Sequence, residues 1–114
     1  MKIAIPVKTD KENPAVAPLF GKAKWFAFVE NDKVTIEKNH EEGGHAVIEW
    51  LIKSGVDTLI VQEMGATPYE VIKAYGKIQL YHAGYERITL NEVLEKFRQG
   101  GLTLLDEEEM QKVI

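Results

Sequence analysis

The chain contains no cysteine, and that absence removes several functional classes at once. Disulfide frameworks, thiolate zinc sites and iron–sulfur clusters ligated by the protein's own thiolates are all excluded. A metal or cluster would have to be met by histidine, carboxylate or methionine. Long apolar runs are missing as well, since no stretch approaches the ~20 residues that span a bilayer. Met1-Lys2-Ile3-Ala4-Ile5-Pro6-Val7 is too short an apolar segment for a signal peptide. A cytoplasmic protein with no membrane contact is therefore expected. Positive charge is also in deficit: 14 Lys and Arg against 18 Asp and Glu leave a net charge of −4. The broad basic face of a nucleic-acid-binding protein is not expected from such a balance.

What remains is the composition of an ordinary folded domain, 45% hydrophobic and 28% charged over 114 residues. That length is enough for one core without cross-links. Ile3–Val7 reads as a first strand. Residues 8–23 are polar or broken by Pro14, Pro18 and Gly21, and read as a long loop. Trp25–Glu30 is apolar on both alternating faces, which suits a strand covered on both sides. Asn31-Asp32 signals a tight turn into a half-exposed partner strand at Val34–Glu37, whose charges Lys33, Glu37 and Lys38 mark it as an edge.

Beyond residue 40 the period changes to alternating helix and strand. Val47, Ile48, Leu51 and Ile52 share one helical face, with Glu49 and Lys53 opposite them at i,i+4. Gly55 stops that helix before a buried strand at Val56–Val61. Thr67, Pro68 and Glu70 predict an N-cap, a first helical proline and a capping box, with Val71, Ile72 and Tyr75 as the apolar stripe. A further strand at Ile78–Tyr81 follows Gly76. Thr89 and Glu92 form a second capping box, Ile88 and Val93 a hydrophobic staple, and Leu90, Val93, Leu94 and Phe97 the buried face. Gly100-Gly101 ends it, and Asp106 is placed to cap a short helix in the tail through Ile114.

These elements predict an α/β fold: a mixed five-stranded sheet with helices on its faces. The strands at 56–61 and 78–81 should run parallel to the first, and the strand at 25–30 antiparallel to it.

Chemistry-bearing residues gather in two places. Asn39-His40-Glu41-Glu42-Gly43-Gly44-His45 carries two of the three histidines at a flexible junction, making His40 and His45 the candidate metal ligands. In sheets with parallel strands, ligands bind beyond the carboxyl ends of the strands. That edge comprises Gln62, Glu63, Met64, Gly65 and Thr67 after one strand, and His82, Ala83 and Gly84 after the next. Gly65-Ala66-Thr67 would leave backbone N–H groups free at a helix start, a generic anion cradle. Lys22, beside Lys24, is placed to balance an anion. Each of these residues also has a plainer reading, as turn glycines, core methionine or surface charge. Gly-x-Ser-x-Gly, phosphate-loop and His-Glu-x-x-His motifs are absent.

Several short motifs, taken in order, resemble one known family. They are Met1-Lys2-Ile3-Ala4-Ile5-Pro6-Val7, then Leu19-Phe20-Gly21-Lys22-Ala23 leading into Trp25-Phe26. Gly55-Val56-Asp57-Thr58-Leu59-Ile60-Val61 and Met64-Gly65-Ala66-Thr67-Pro68 follow. The chain is similar here to the dinitrogenase iron–molybdenum cofactor biosynthesis family, which includes small nitrogenase accessory proteins that carry cofactor precursors. The resemblance implies a ribonuclease-H-like fold, with residues 1–101 as one cofactor-biosynthesis-type domain and 102–114 as a C-terminal extension. It further implies a non-catalytic binding or carrier protein for an iron–sulfur or iron–molybdenum-type cofactor or precursor, with cofactor-assembly proteins as partners. The cofactor-binding candidates are then His40, His45, Gly65, Thr67, Lys22 and His82. The chain departs from the family pattern at Leu19, where relatives often carry His. It departs again at Lys22, where Arg is usual, and at Glu63-Met64, where glycines are typical.

Three readings stay open from the sequence. One is the cluster carrier. The second is a metal-free small-molecule or anion-binding regulatory domain on the same edge. The third is a protein-interaction module using Tyr85 and the acidic tail. A nuclease is disfavoured, because Ile3-Ala4-Ile5-Pro6-Val7 lacks the first-strand carboxylate that two-metal hydrolysis on a ribonuclease-H-like fold uses.

Overall fold

Asn31 and Asp32 both adopt left-handed backbone conformations, with φ of 51° and 63°. A two-residue hairpin turn of type I′ requires positive φ at both central positions. The turn folds strand β2 (Trp25–Glu30) back on β3 (Lys33–Lys38), with Glu30 opposite Lys33. β2 in turn runs antiparallel to β1 (Lys2–Val7), pairing Lys2 with Glu30 and Val7 with Trp25. The structure, a computed structural model, describes residues 1–112.

The remaining strands continue outward from β1. They are β4 (Thr58–Val61), parallel to β1, β5 (Gln79–His82), parallel to β4, and β6 (Thr103–Leu104), antiparallel to β5. The order is β3-β2-β1-β4-β5-β6. Between the strands lie helices α1 (Gly44–Lys53), α2 (Ala66–Tyr75) and α3 (Leu90–Arg98), with a short α4 (Glu107–Met110) in the tail.

The strict alternation of the strands decides which face each helix covers. Ala4, Phe26, Phe28, Leu59, Val61 and Leu80 point to one side, where they bury Val47, Ile48 and Leu51 of α1 and Tyr69 and Ile72 of α2. Trp50 of α1 meets Phe26 and Phe28 edge-on, at 5.7 and 5.5 Å between ring centres. Ile3, Ile5, Val7, Ala27, Val29 and Ile60 point to the other side, onto Leu90, Val93 and Leu94 of α3. α3 begins with the expected capping box, and Ile88 and Val93 are buried in one cluster. Asp106 caps α4, and Met110 is wholly buried in the α1/α2 core. The expected tail helix is seen as far as Met110, and its last residues, Val113 and Ile114, lie outside the described residues.

Five local expectations are corrected. The sheet among the described residues has six strands rather than five. β6 is two exposed residues long, too short for any alternation to show in sequence. α2 starts at Ala66 with Gly65 as its cap, and no capping box forms at Thr67 and Glu70. Pro68 sits inside the first turn instead, where the missing N–H has no intrahelical partner to lose. The buried face of α2 is Pro68, Tyr69 and Ile72, while Tyr75 turns outward. On α1, Glu49 pairs with His45 at 2.9 Å rather than with Lys53. A three-residue helical turn at Phe20–Lys22 also interrupts the expected loop.

Candidate functional site

β1 and β4 are parallel neighbours, so their carboxyl ends meet at one edge of the sheet. The chain leaving β1 crosses that edge and returns at Leu19, which bridges in parallel to Glu63. The Phe20 N–H donates to the Glu63 carbonyl (3.1 Å), and the Glu63 N–H donates to the Pro18 carbonyl (2.9 Å). Phe20 then turns inward, buried edge-on against Phe26 at 5.6 Å. Lys22 and Ala23 N–H groups close the turn on the Leu19 and Phe20 carbonyls. With Phe20 pinned in the core, Leu19, Gly21 and Lys22 are left at the surface. Together with Glu63, Met64 and Gly65 they line an open cleft of about 490 Å³.

Two glycines of this cleft are not demanded by the fold. A β-carbon on Gly21 would meet nothing within 4 Å, and one on Gly65 would meet only Pro68 Cδ at 3.9 Å. Neither has a left-handed φ. Elsewhere glycine answers a local need: Gly76 takes φ 75° to close α2, and Gly44 lies hard against the Pro68 ring. Turn geometry therefore does not account for Gly21 and Gly65, and their lack of a side chain leaves the backbone open to close approach.

The helix starts facing this edge are also unusual. Gly43 and Gly65 stand at the N-cap positions of α1 and α2 and supply no side-chain cap, whereas Thr89 and Asp106 cap α3 and α4. The contact between Gly44 and Pro68 places the first turns of α1 and α2 side by side. Two sets of first-turn N–H groups, each carrying partial positive charge, thus flank one another near the cleft. Lys22 adds a full positive charge and Glu63 a negative one; Met64 is buried in the core behind.

All six residues singled out in the sequence fall at this carboxyl edge, yet they do not form one cluster. Lys22 and Gly65 line the same cleft. Thr67 is exposed in the first turn of α2. His45 opens α1, 61% exposed and bonded to Glu49, and His40 is exposed in the preceding loop. That loop is tied down at its start, because the Asn39 side-chain amide donates to the Ala23 carbonyl and its oxygen accepts from Glu41 N–H. His82 ends β5, with Nε2 3.0 Å from the Gln62 carbonyl and its ring edge-on to Tyr85. A carbonyl accepts only, so Nε2 carries the proton and Nδ1 alone is left with a lone pair to accept a hydrogen bond or ligate a metal. Among the described residues, no three His, Asp or Glu side chains are arranged to hold a metal ion.

The sequence puts Glu63 at the binding edge and Leu19 and Gly21 in a family-like motif, but none of the three is among the six cofactor-binding candidates. Their partnership is a bridge between segments 44 residues apart, Leu19 to Glu63, which no local period encodes. The available sign was Leu19-Phe20-Gly21-Lys22 itself, an apolar pair and a glycine following the polar residues 8–13 and the Pro14–Pro18 segment.

Comparison with known proteins gives concordant results. A family model described as "Dinitrogenase iron-molybdenum cofactor" matches residues 1–100. An uncharacterized protein of Methanocaldococcus jannaschii is 31% identical over 112 residues, 90% of this chain and 89% of that protein. A Thermotoga protein described as a candidate NifB protein has a similar structure, with a TM-score of 0.73 and 26% identity. That similarity covers 93% of this chain and 97% of the Thermotoga chain. The apo form of the orange protein from Desulfovibrio gigas shares the fold, with a TM-score of 0.80 at 20% identity. There the coverage is 91% of this chain and 92% of the other.

Proposed function

The chain belongs to the dinitrogenase iron–molybdenum cofactor family, and from that membership we propose a non-catalytic carrier of an anionic metal–sulfur cofactor or its precursor. The observation that carries the reading is the cleft between Leu19–Lys22 and Glu63–Gly65, with two glycines the fold does not need. Lacking cysteine, the protein supplies no thiolate, so its cargo arrives with its sulfur ligands already in place. Such a cargo presents sulfide and other acceptor atoms on its surface. Bare N–H groups at Gly21 and Gly65, the uncapped starts of α1 and α2, and Lys22 are donors suited to it. Glu63 opposes a negative charge at the rim and sets a limit on affinity, as suits a carrier that must release what it holds.

In this reading His40 and His45 are imidazole donors at the open rim, the metal-binding part of the proposal, and His82 and Thr67 border the same edge. Cofactor-assembly proteins are the partners from which cargo is received and to which it passes, in the cytoplasm. No chemical step is assigned to the protein, and β1 offers no carboxylate for one. The strand order β3-β2-β1-β4-β5, with β2 antiparallel to β1, supports a ribonuclease-H-like ancestry for the scaffold. No helix among the described residues is long and apolar enough to cross a membrane.

Anaerobic titration with isolated iron–molybdenum cofactor, followed by its visible absorbance, tests the proposal. Saturable binding by the parent is expected. Lys22→Glu should bind roughly tenfold more weakly, the scale of one reversed charge in a partly exposed site. His40→Ala combined with His45→Ala should weaken uptake while changing stability by less than about 1 kcal/mol, because both side chains are exposed. No saturable binding by the parent would contradict the carrier reading. Binding of inorganic phosphate in its place would favour the metal-free anion-binding alternative.

A further inference from the structure

β3 is the last strand of the sheet on its side. Its outer edge is built differently from that of β6, which ends the sheet on the other side after two residues. β3 is six residues long, unbroken by proline or glycine, and paired residue for residue with β2 from Lys33 to Lys38. In a two-residue hairpin the residues flanking the turn exchange hydrogen bonds with one another. Lys33, Thr35 and Glu37 therefore direct their backbone N–H and C=O groups toward β2. Val34 and Ile36 direct theirs outward, where another strand could take them.

We propose that this edge pairs with β3 of a second copy of the chain, antiparallel about a two-fold axis at Thr35. In that register Val34 of one copy faces Ile36 of the other, and both present outward hydrogen-bonding groups, so the ladder closes. Lys33 then lies opposite the second copy's Glu37, and symmetry makes that pair twice. Thr35 meets its own counterpart. Val34, 43% exposed in the single chain, gains an apolar neighbour.

The neighbouring registers lack this match. Shifting the axis to Ile36 sets Thr35 against Glu37 and Val34 against Lys38, and shifting it to Val34 sets Lys33 against Thr35. The charges that protect an edge from indiscriminate pairing thus select one partner and one alignment, because specificity arises from mismatches as well as matches. Opposite charges directly across two strands attract and like charges repel. Two six-residue strands bury less than the ~1,200 Å² of stable complexes, so the dimer exchanges readily and follows concentration.

Sedimentation equilibrium of the full chain from about 10 µM to about 1 mM tests the proposal, a range in which so small an interface becomes populated. The average mass of the parent should rise toward the dimer. Lys33→Glu and Glu37→Lys should each remain monomeric, because each sets like charges opposite one another twice. An equimolar mixture of the two variants should associate again, since each then supplies the charge the other needs. Val34→Pro removes an outward N–H at both symmetry-related positions and keeps the bonds to β2. It should abolish association with no change of charge, and it serves if Lys33→Glu, set opposite Glu30, fails to fold. A parent that stays monomeric throughout would overturn the proposal. So would association that survives Glu37→Lys or Val34→Pro, or folded single variants that do not pair when mixed.

Discussion

The ring of Pro68 fills the space in which Gly44 would carry a side chain: a β-carbon there would lie 2.8 Å from both Cδ and Cγ. This contact joins the first turns of α1 and α2 and fixes their spacing at the carboxyl edge of the sheet. Gly44→Ala should cost about 1–3 kcal/mol in urea unfolding, the usual range for overpacking. In a Pro68→Gly background the same substitution should cost much less, because Cβ, itself 2.9 Å from the added carbon, is removed with the rest of the ring. Equal costs in both backgrounds would show that the helix starts are not held by this contact.

Much of the architecture was legible in the sequence because the deciding signals are local. The two-sided apolar pattern of Trp25–Glu30, the Asn31-Asp32 turn and the Thr89/Glu92 capping box each act within a few residues, and each appears where expected. Tertiary contacts decided the rest. Thr67 and Glu70 spell a capping box, but the packing of Pro68 on Gly44 and of Tyr69 in the core goes with a helix that starts earlier, at Ala66. The edge carrying the candidate site could be read from strand order and helix starts. The cleft within it could not, because it depends on Leu19 meeting Glu63 across the loop.

Glu92 gives the account a pH signature. Its carboxylate accepts from the Thr89 backbone N–H (3.0 Å) and hydroxyl (2.8 Å), which holds its pKa below the ordinary carboxylate value. A pKa lowered by folding stabilises the native state above the unfolded-state pKa. That contribution is lost as pH falls through the lower, folded-state value. The urea midpoint of the parent should therefore drop across the acid carboxylate range by more than that of Glu92→Gln. Identical pH profiles would show that the capping box does not bias the protonation of Glu92.

The tail is a structural part of the fold. Met110 is fully buried with Leu105 among Phe26, Leu51 and Tyr69, and Lys73 of α2 pairs with Glu107 of α4. Met110→Ala should cost about 2–5 kcal/mol, the range for emptying a buried methionine site. Breaking the exposed Lys73–Glu107 pair should cost far less, since solvent screens it. A Met110→Ala midpoint indistinguishable from the parent would mean that the tail is not docked in solution.

The central claim is the position of the cargo, and amide resonances measured beside a paramagnetic iron–molybdenum–sulfur cluster test it most directly. Electron spin broadens nearby amide signals steeply with distance, so the pattern of loss maps the site. Gly21, Lys22, Gly65 and Ala66 should fade first on titration, while Lys33–Glu37 and Asn91–Arg98 persist. Loss centred instead on Tyr85–Ile88, with Gly21 and Gly65 unaffected, would contradict it.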